Sequence, residues 1–423
     1  MEDVIIIGAG VAGLTAALAL KRADYSYRIL EACDASGGRA RSRRLPSGIV
    51  ADLGAHWLHG GAHNALKAEV DRYGLTCQED QTRAMYVYED GNLRDAGSWL
   101  EGVIDENKAQ RVKSGELPDC ALPDLARDEQ GRKLLGEFAR MWDGLEPPVR
   151  PSAHEYLTDE NTPGGLQIDG GMRSLIERLE AEVGADRIHL RTAVSRITQA
   201  EVDGEPAVRI QAMDGSVWGA RRVIFTASLG VLQSGMVQFS PGLSGAFHEH
   251  LSGLVMGRVN KIVIELDPAF VRERGIPVDM PVQQLDSHPP HFAHIHSAGQ
   301  PLIQLYVSGD QAEVVEGLTP DETLAYSQSV LAPIDILNGF EAHVVSAPIA
   351  TRWVANPYTR GSYSSCLPGA HRSGPRVEGL VTFCGDTFDD RFPGSVAGAY
   401  RSATAGAELV IAELARAREV MPA

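Results

Sequence analysis

Val4-Ile5-Ile6-Ile7 runs directly into Gly8-Ala9-Gly10-Val11-Ala12-Gly13, and Leu14-Thr15-Ala16-Ala17-Leu18-Ala19-Leu20 follows. Four β-branched residues in a row read as a buried strand, the glycines as a tight turn, and the small and apolar residues as a helix. Gly8 permits the turn, Gly10 lets backbone approach a pyrophosphate, and Gly13 lets helix and strand pack closely, with Ala12 in the same turn. Phosphates are expected on the helix N-terminus, where unpaired N–H groups and the helix dipole favour anions. A second strand, Tyr27-Arg28-Ile29-Leu30, ends in Glu31, where a carboxylate accepts adenosine ribose hydroxyls. A purely structural βαβ turn needs no acid there, so the stretch reads as a dinucleotide site. Glu31 also disfavours a 2′-phosphate, which argues against NADP.

The 423 residues suffice for two or three domains. Lys+Arg 39 against Asp+Glu 56 gives a net charge of −17, which argues against phosphate-backbone binding, so no nucleic acid partner is expected. The same charge favours a cationic substrate. The cysteines (Cys33, Cys77, Cys120, Cys366, Cys384) are odd in number and lack C-x-x-C spacing, which reads as reduced thiols. The strand within a few residues of Met1 leaves no room for a signal peptide, and no apolar run approaches a membrane span. A cytoplasmic location without membrane contact is the expectation.

Further along, Gly37-Gly38-Arg39 adds a cation near the pyrophosphate or stands as a solvated turn. Gly54-Ala55-His56-Trp57-Leu58-His59-Gly60 is glycine-punctuated and rich in aromatic and imidazole groups, suiting close approach to a flat ring. Residues 76–168 turn more polar and helix-like, with breaks at Glu146-Pro147-Pro148 and Thr162-Pro163-Gly164-Gly165. A helix from Ser174 to Val183, a strand at Ile188–Leu190 and hairpin turns at Asp203-Gly204 and Asp214-Gly215 follow. Strands dominate from Asn260 to about 350, interrupted by a helix from Asp321 to Leu331, before Leu380–Asp386 and a last helix after Ser395. The expected fold class is α/β: a Rossmann-like nucleotide domain assembled from 1–75, 169–259 and 353–423, with an inserted mixed-sheet and helix substrate domain from 76–168 and 260–352. No second G-x-G-x-x-G occurs.

In order and spacing, these motifs resemble the flavin-containing amine oxidase family of monoamine oxidases, polyamine oxidases and histone-lysine demethylases. The shared positions are Gly8 to Gly13 with Glu31, Gly37-Gly38-Arg39, Leu53-Gly54-Ala55-His56-Trp57, Gly170-Gly171-Met172, Asn260-Lys261, Trp353 with Gly361-Ser362-Tyr363, and Gly385-Asp386 with Pro393-Gly394-Ser395-Val396. The resemblance implies FAD, a two-domain oxidase and oxidation of a C–N bond with dioxygen as electron acceptor. Under it Glu31 holds the adenosine ribose, Arg39 the phosphate side, and the Val194 backbone the adenine. Gly385-Asp386 sits near the ribityl and pyrophosphate, with Asp in place of the commoner Glu. The Val396 N–H meets the flavin pyrimidine edge, where a helix N-terminus stabilises negative charge.

Lys261 resembles the family lysine that holds a water against flavin N5, although after Asn at a strand start a lysine alone reads as solvent-exposed. Tyr363 resembles one wall of the aromatic cage that orients the amine; alone it reads equally as a core tyrosine. His59 resembles a histidine of polyamine oxidases that contacts a substrate nitrogen, and equally suits a structural role. Ser362 replaces the cysteine that carries covalent flavin in monoamine oxidases, so the resemblance implies non-covalent FAD. Ser395 replaces the second cage tyrosine, as in the polyamine oxidases, and Cys33 removes one adenosine-side contact. No sustained heptad run supplies the demethylases' helical tower, so chromatin work is not expected.

His288-Pro289-Pro290-His291-Phe292-Ala293-His294-Ile295-His296 resembles a metal cluster on paper. Strand alternation puts His294 and His296 on one face and His291 on the other, and no nearby Cys or acidic ligand completes a site, so no metal is expected. Two other activities remain open. An L-amino-acid oxidase needs a cavity arginine, for which Arg258 and Arg352 are candidates, and a flavin carrier without turnover would not need Lys261 and Tyr363. The substrate is then a small-molecule amine or polyamine, and the oligomeric state is not readable.

Overall fold

The computed structural model describes residues 1–420 apart from 81–85, 90–91, 96–101, 103–105, 107–118, 161–164, 203–204 and 285–289. The β-branched run forms the strand Glu2–Ile7, which pairs in parallel with Tyr27–Leu30 on one side and Val217–Phe225 on the other. Ile6 stands between Ile29 and Ile224, and Val4, Ile5 and Ile6 are fully buried. A strand covered on both faces needs apolar residues at consecutive positions, which is why the run does not alternate.

This strand is central to a nine-stranded sheet that continues through Glu205–Ala212, Val194–Val202 and Gln238–Ser240, with Val381–Phe383 beside Val217–Phe225. Helices Val11–Arg22, Met172–Val183 and Val396–Val420 cover one face through Leu14, Leu20, Leu175, Leu179, Ala403 and Ala407. The other face buries Phe225, Phe247 and Phe383. Turn Asp214-Gly215 joins the antiparallel strands Glu205–Ala212 and Val217–Phe225 as its composition demands. Asp203-Gly204 lies outside the described residues, although the strands flanking it pair as far as Val202 and Glu205.

A seven-stranded sheet runs Ile349–Ala350, Val259–Glu265, Leu302–Ser308, His291–Ile295, Met280–Gln284, Tyr86–Glu89 and Asn92–Asp95. Its antiparallel register sets Lys261 opposite Tyr306, and Tyr306 opposite Phe292, while Gln304 lies between Val263 and His294. Because side chains alternate along a strand, Lys261, Tyr306, Phe292, Gln304 and His294 all project from one face. The stretch 76–168 is less helical than its polarity suggests: besides helices Glu129–Asp143 and Ala153–Thr158 it supplies strands to two sheets. One is a small sheet in which Gly165–Ile168 pairs with both Leu58–His59 and Cys77–Glu79. The predicted Thr162–Gly164 break and His288 lie outside the described residues.

Candidate active site

The first glycine turn is shaped for a ligand. Gly8 takes φ +101°, and a Cβ on Gly13 would stand 1.9 Å from Gly8 O, so only glycine lets the helix lie this close. A Cβ on Gly10 would meet nothing within 4 Å, and Gly10 caps the helix without any side-chain hydrogen bond. No side chain therefore covers the helix end, which leaves backbone room for the close approach of a pyrophosphate. Gly38, at φ +56°, has only Gly10 Cα within contact distance of its would-be Cβ, so the second loop borders the same space.

Glu31 is buried at the end of its strand, where its carboxylate accepts the Ala9 N–H at 2.6 Å and the Cys33 N–H at 2.8 Å. A carboxylate has about four acceptor positions, so two remain for ribose hydroxyls. The backbone N–H of Thr192 donates to Glu31 O at 2.8 Å, which brings Val194 alongside as the first residue of its strand. A glycine cradle, a helix start free of capping side chains and an acid with spare acceptors fit FAD.

Arg39 meets residues far away in sequence. Its guanidinium donates to both carboxylate oxygens of Asp386, at 2.6 and 3.0 Å, and to Ser362 O at 2.8 Å. Asp386 follows Gly385, whose φ of +135° turns the chain out of the sheet. Ser395 accepts the Gly398 N–H at 3.2 Å and so caps the helix that Val396 begins. The fork thus ties the Gly37-Gly38-Arg39 loop to the start of the last helix.

Lys261 is 3 % exposed, which overturns the solvent-exposed reading. Its Nζ lies near the backbone oxygens of Asp52 (3.0 Å) and Gly54 (2.9 Å), Gln304 Oε1 (3.0 Å) and His56 Nδ1 (3.2 Å). Burial pulls its pKa down to about 7, against the Asp52 charge, which raises it. Gly54 must be glycine, since a Cβ there would stand 1.9 Å from Arg39 O, and Ala55 donates to that same oxygen at 3.1 Å. Burial and the neighbouring Lys261 push His56 well below the usual imidazole range, so its ring is neutral at pH 7. With Nδ1 also 3.0 Å from the Tyr306 hydroxyl, His56 Nε2 is buried without a hydrogen-bond partner among the described residues.

Around this lysine stands an aromatic wall. Trp57 stacks on Tyr306 at 6.3 Å and 7°, the rings of Phe292 and Trp142 are centred 4.7 Å apart, and those of His294 and Trp57 5.2 Å apart. The indole N–H groups of Trp57 and Trp142 are buried and unpaired among the described residues. Tyr363 joins the wall by donating its hydroxyl to Trp142 O. His59 sits on the far side of Trp57, ring centres 5.8 Å apart, and its strand partner is Gly165. Strand alternation around Lys261 was the one signal in the sequence that could have found Gln304 and Tyr306. Nothing local marked Trp142, which a different segment brings in.

The histidine-rich stretch needs a correction. His296 lies past the strand end at φ +56°, so it does not share a face with His294, and His291 turns to the Tyr326 hydroxyl at 2.8 Å. Acidic groups that the sequence reading did not bring to the cluster do reach His294. Asp279 Oδ1 is 3.3 Å from His294 Nε2, and Asp80, Asp279 and His294 each bring a ligand atom within 4.8 Å of the others. Such a spacing suits a cation.

The sequence profile described as "Flavin containing amine oxidoreductase" matches residues 11–162 and 128–411. The chain is 26 % identical to "Polyamine oxidase 2" of Arabidopsis thaliana, across 96 % of this chain and 87 % of that protein. It is 24 % identical to "Lysine-specific histone demethylase 1 homolog 1" of the same plant, covering 95 % of this chain but 51 % of that protein, so it spans about half of the demethylase. A solved wild-type putrescine oxidase bound to putrescine superposes with a TM-score of 0.78 at 20 % identity over 97 % of this chain and 99 % of the other, which shows a shared fold. Together with the cradle for FAD and the buried lysine, the match makes this chain a member of the flavin-containing amine oxidoreductase family, an FAD-dependent enzyme that oxidises amines.

Proposed function

We propose that the enzyme is an oxidase for a small amine bearing a second cationic nitrogen, a diamine or polyamine, with dioxygen as electron acceptor. The observation that carries this reading is an aromatic wall ending in an acidic pair. Faces of Trp57, Tyr306 and Phe292 suit a desolvated amine, and beyond His294 lie Asp80 and Asp279 to neutralise a second charge. FAD supplies the two-electron acceptor for the C–N bond, and dioxygen then takes the two electrons and two protons to give hydrogen peroxide. Water adds to the resulting imine and releases the carbonyl and the free amine.

The chain's own groups position, dry and deprotonate. Lys261, with a pKa near 7, exists partly as the neutral amine at physiological pH and can hold a proton taken from substrate or water. The half-buried ring faces, with Phe292 behind them, displace water from the wall, and Tyr363, fixed by its bond to Trp142 O, closes it. Neither candidate arginine of the L-amino-acid reading is free to hold a carboxylate at the wall: Arg258 is engaged by Asp310 at 2.8 Å and Glu313 at 2.7 Å, and Arg352 faces an outer groove.

A peroxide assay over matched diamines, polyamines, monoamines and L-amino acids tests this reading. Diamines should exceed monoamines of equal length in kcat/KM by roughly tenfold or more, and Asp279→Asn should narrow that gap. Equal rates for both, or turnover confined to amino acids, would sink the second-cation reading.

A further inference from the structure

On a chain of net charge −17, five arginines gather in one groove. Arg41, Arg43 and Arg44 come from a hairpin, in which Ser42–Arg44 pairs with Val50–Asp52. Arg173 comes from the start of the helix Met172–Val183, and Arg352 from the loop after Ile349–Ala350. The groove encloses about 850 Å³, and no acidic residue lines it. That volume lies within the range of small-molecule sites, roughly 300–1,000 Å³.

The arginines are poorly neutralised. Arg41 meets Asp34 at 3.1 Å and Arg173 meets Glu177, but both acids are more than half exposed, and such pairs contribute little. Arg44 donates to Gly48 O at 2.8 Å, a neutral partner. Arg43 and Arg352 are exposed and make no ion pair among the described residues. The helix end nearby adds no demand of its own, because Asp52 and Ser42 accept the first N–H groups, of Met172 and Arg173, at 3.0 and 2.9 Å. Crowded guanidinium groups repel one another unless an anion lies between them, and their planar forks match phosphate oxygens two at a time. Ile349, Pro357 and Trp353 give the groove an apolar shelf.

We propose that this groove is a binding site for a small multivalent phosphate, of the nucleoside triphosphate or inorganic tripolyphosphate kind. The site is distinct from the dinucleotide cradle: its back wall is the outer side of the lysine shell. Thr351 accepts the Lys261 backbone N–H at 2.8 Å, and Leu53 O accepts the Trp353 indole N–H at 3.1 Å.

The test uses the FAD-loaded enzyme, titrated by calorimetry with tripolyphosphate, with ATP and with orthophosphate, while the flavin absorbance reports cofactor retention. Saturable one-to-one binding of tripolyphosphate is expected, weakening steeply with added salt and at least roughly tenfold tighter than orthophosphate. Equal binding of ATP would mark the phosphate chain as the recognised group, and tighter ATP binding would add the nucleoside; either supports the site. Arg43→Glu combined with Arg352→Glu should weaken binding by roughly tenfold or more while leaving ligand-free amine turnover unchanged. No saturable binding, equal affinity for orthophosphate, binding undiminished in the double variant, or displacement of FAD would each overturn the proposal. None of these readouts depends on which amine the enzyme oxidises.

Discussion

Lys261 Nζ lies 3.2 Å from Nδ1 of His56, and both groups are buried with their pKa values pulled down. The loop that carries His56 and the strand that carries Lys261 are joined by this contact and by the Asp52 and Gly54 carbonyls. Both groups sit at neutral pH with at least part of their population uncharged, in a wall otherwise made of rings.

Lys261→Met should therefore slow flavin reduction or turnover by roughly 10²- to 10⁴-fold, the usual span for a lost proton-handling group. Because its pKa is lowered, Lys261 is charged below about pH 7 and neutral above it, so turnover should rise through that pH. Stopped-flow rates measured across the neutral range should show a step near 7 in the native enzyme and none at that position in the variant.

Glu31→Ala should weaken FAD retention. The change leaves the Ala9 and Cys33 N–H groups, now held at 2.6 and 2.8 Å, without an acceptor and removes the carboxylate whose open acceptor positions fit ribose hydroxyls. Losing one charge-assisted partner is worth about 1.5–3 kcal/mol, which is roughly 10- to 150-fold in affinity. Equilibrium titration of the apoprotein with FAD measures it, and Gly13→Ala, with its clash at Gly8 O, should not fold into a yellow protein at all.

Acid precipitation should leave all the flavin in the supernatant. Ser362 is bonded to Gly257 O at 3.0 Å, and Cys366 is a buried thiol whose pKa burial raises to about 12, so it offers no thiolate for attachment. Absorbance at the flavin band in the precipitate would contradict this.

Asp143 closes the helix Glu129–Asp143, accepts hydrogen bonds from Ser365 at 2.5 Å and from Tyr156, and has its pKa raised by burial to about 6. An acid whose folded pKa lies above its unfolded value penalises the fold when ionised. The penalty is absent below about pH 3.8, grows between 3.8 and 6, and is complete above 6. Asp143→Asn removes it, so the variant's thermal midpoint relative to the native enzyme should rise as the pH goes from about 4 to above 6. A carboxyl moved from 3.8 to about 6 corresponds to a penalty on the order of 3 kcal/mol.

Much of the cofactor half was legible because its signals are local. Val4 to Gly13 specify strand, turn and helix within one short run, and Glu31 follows at a separation the βαβ unit dictates. Gly13 could be read as a glycine required by close helix–strand packing, and Gly8 O, 1.9 Å from its would-be Cβ, gives the reason, whereas Gly54, read as making room for a flat ring, is held to glycine by Arg39 O. The substrate side was less legible. Lys261 reads alone as exposed because a sequence window cannot reveal that neighbouring strands and a loop close over it. Residues 76–168 read as helix-like because polarity hides strands that pair with partners far along the chain.

By itself, then, the order of residues determined the dinucleotide turn, the α/β class and the acid at the end of the second strand, since each depends on backbone conformations that neighbours impose. Only the tertiary structure decided that Asp80 and Asp279 stand beside His294, that Trp142 faces Phe292, and that arginines from three segments share one groove. These juxtapositions arise from strand register and from packing between distant segments, where burial and charge act through space and leave no periodic trace along the chain.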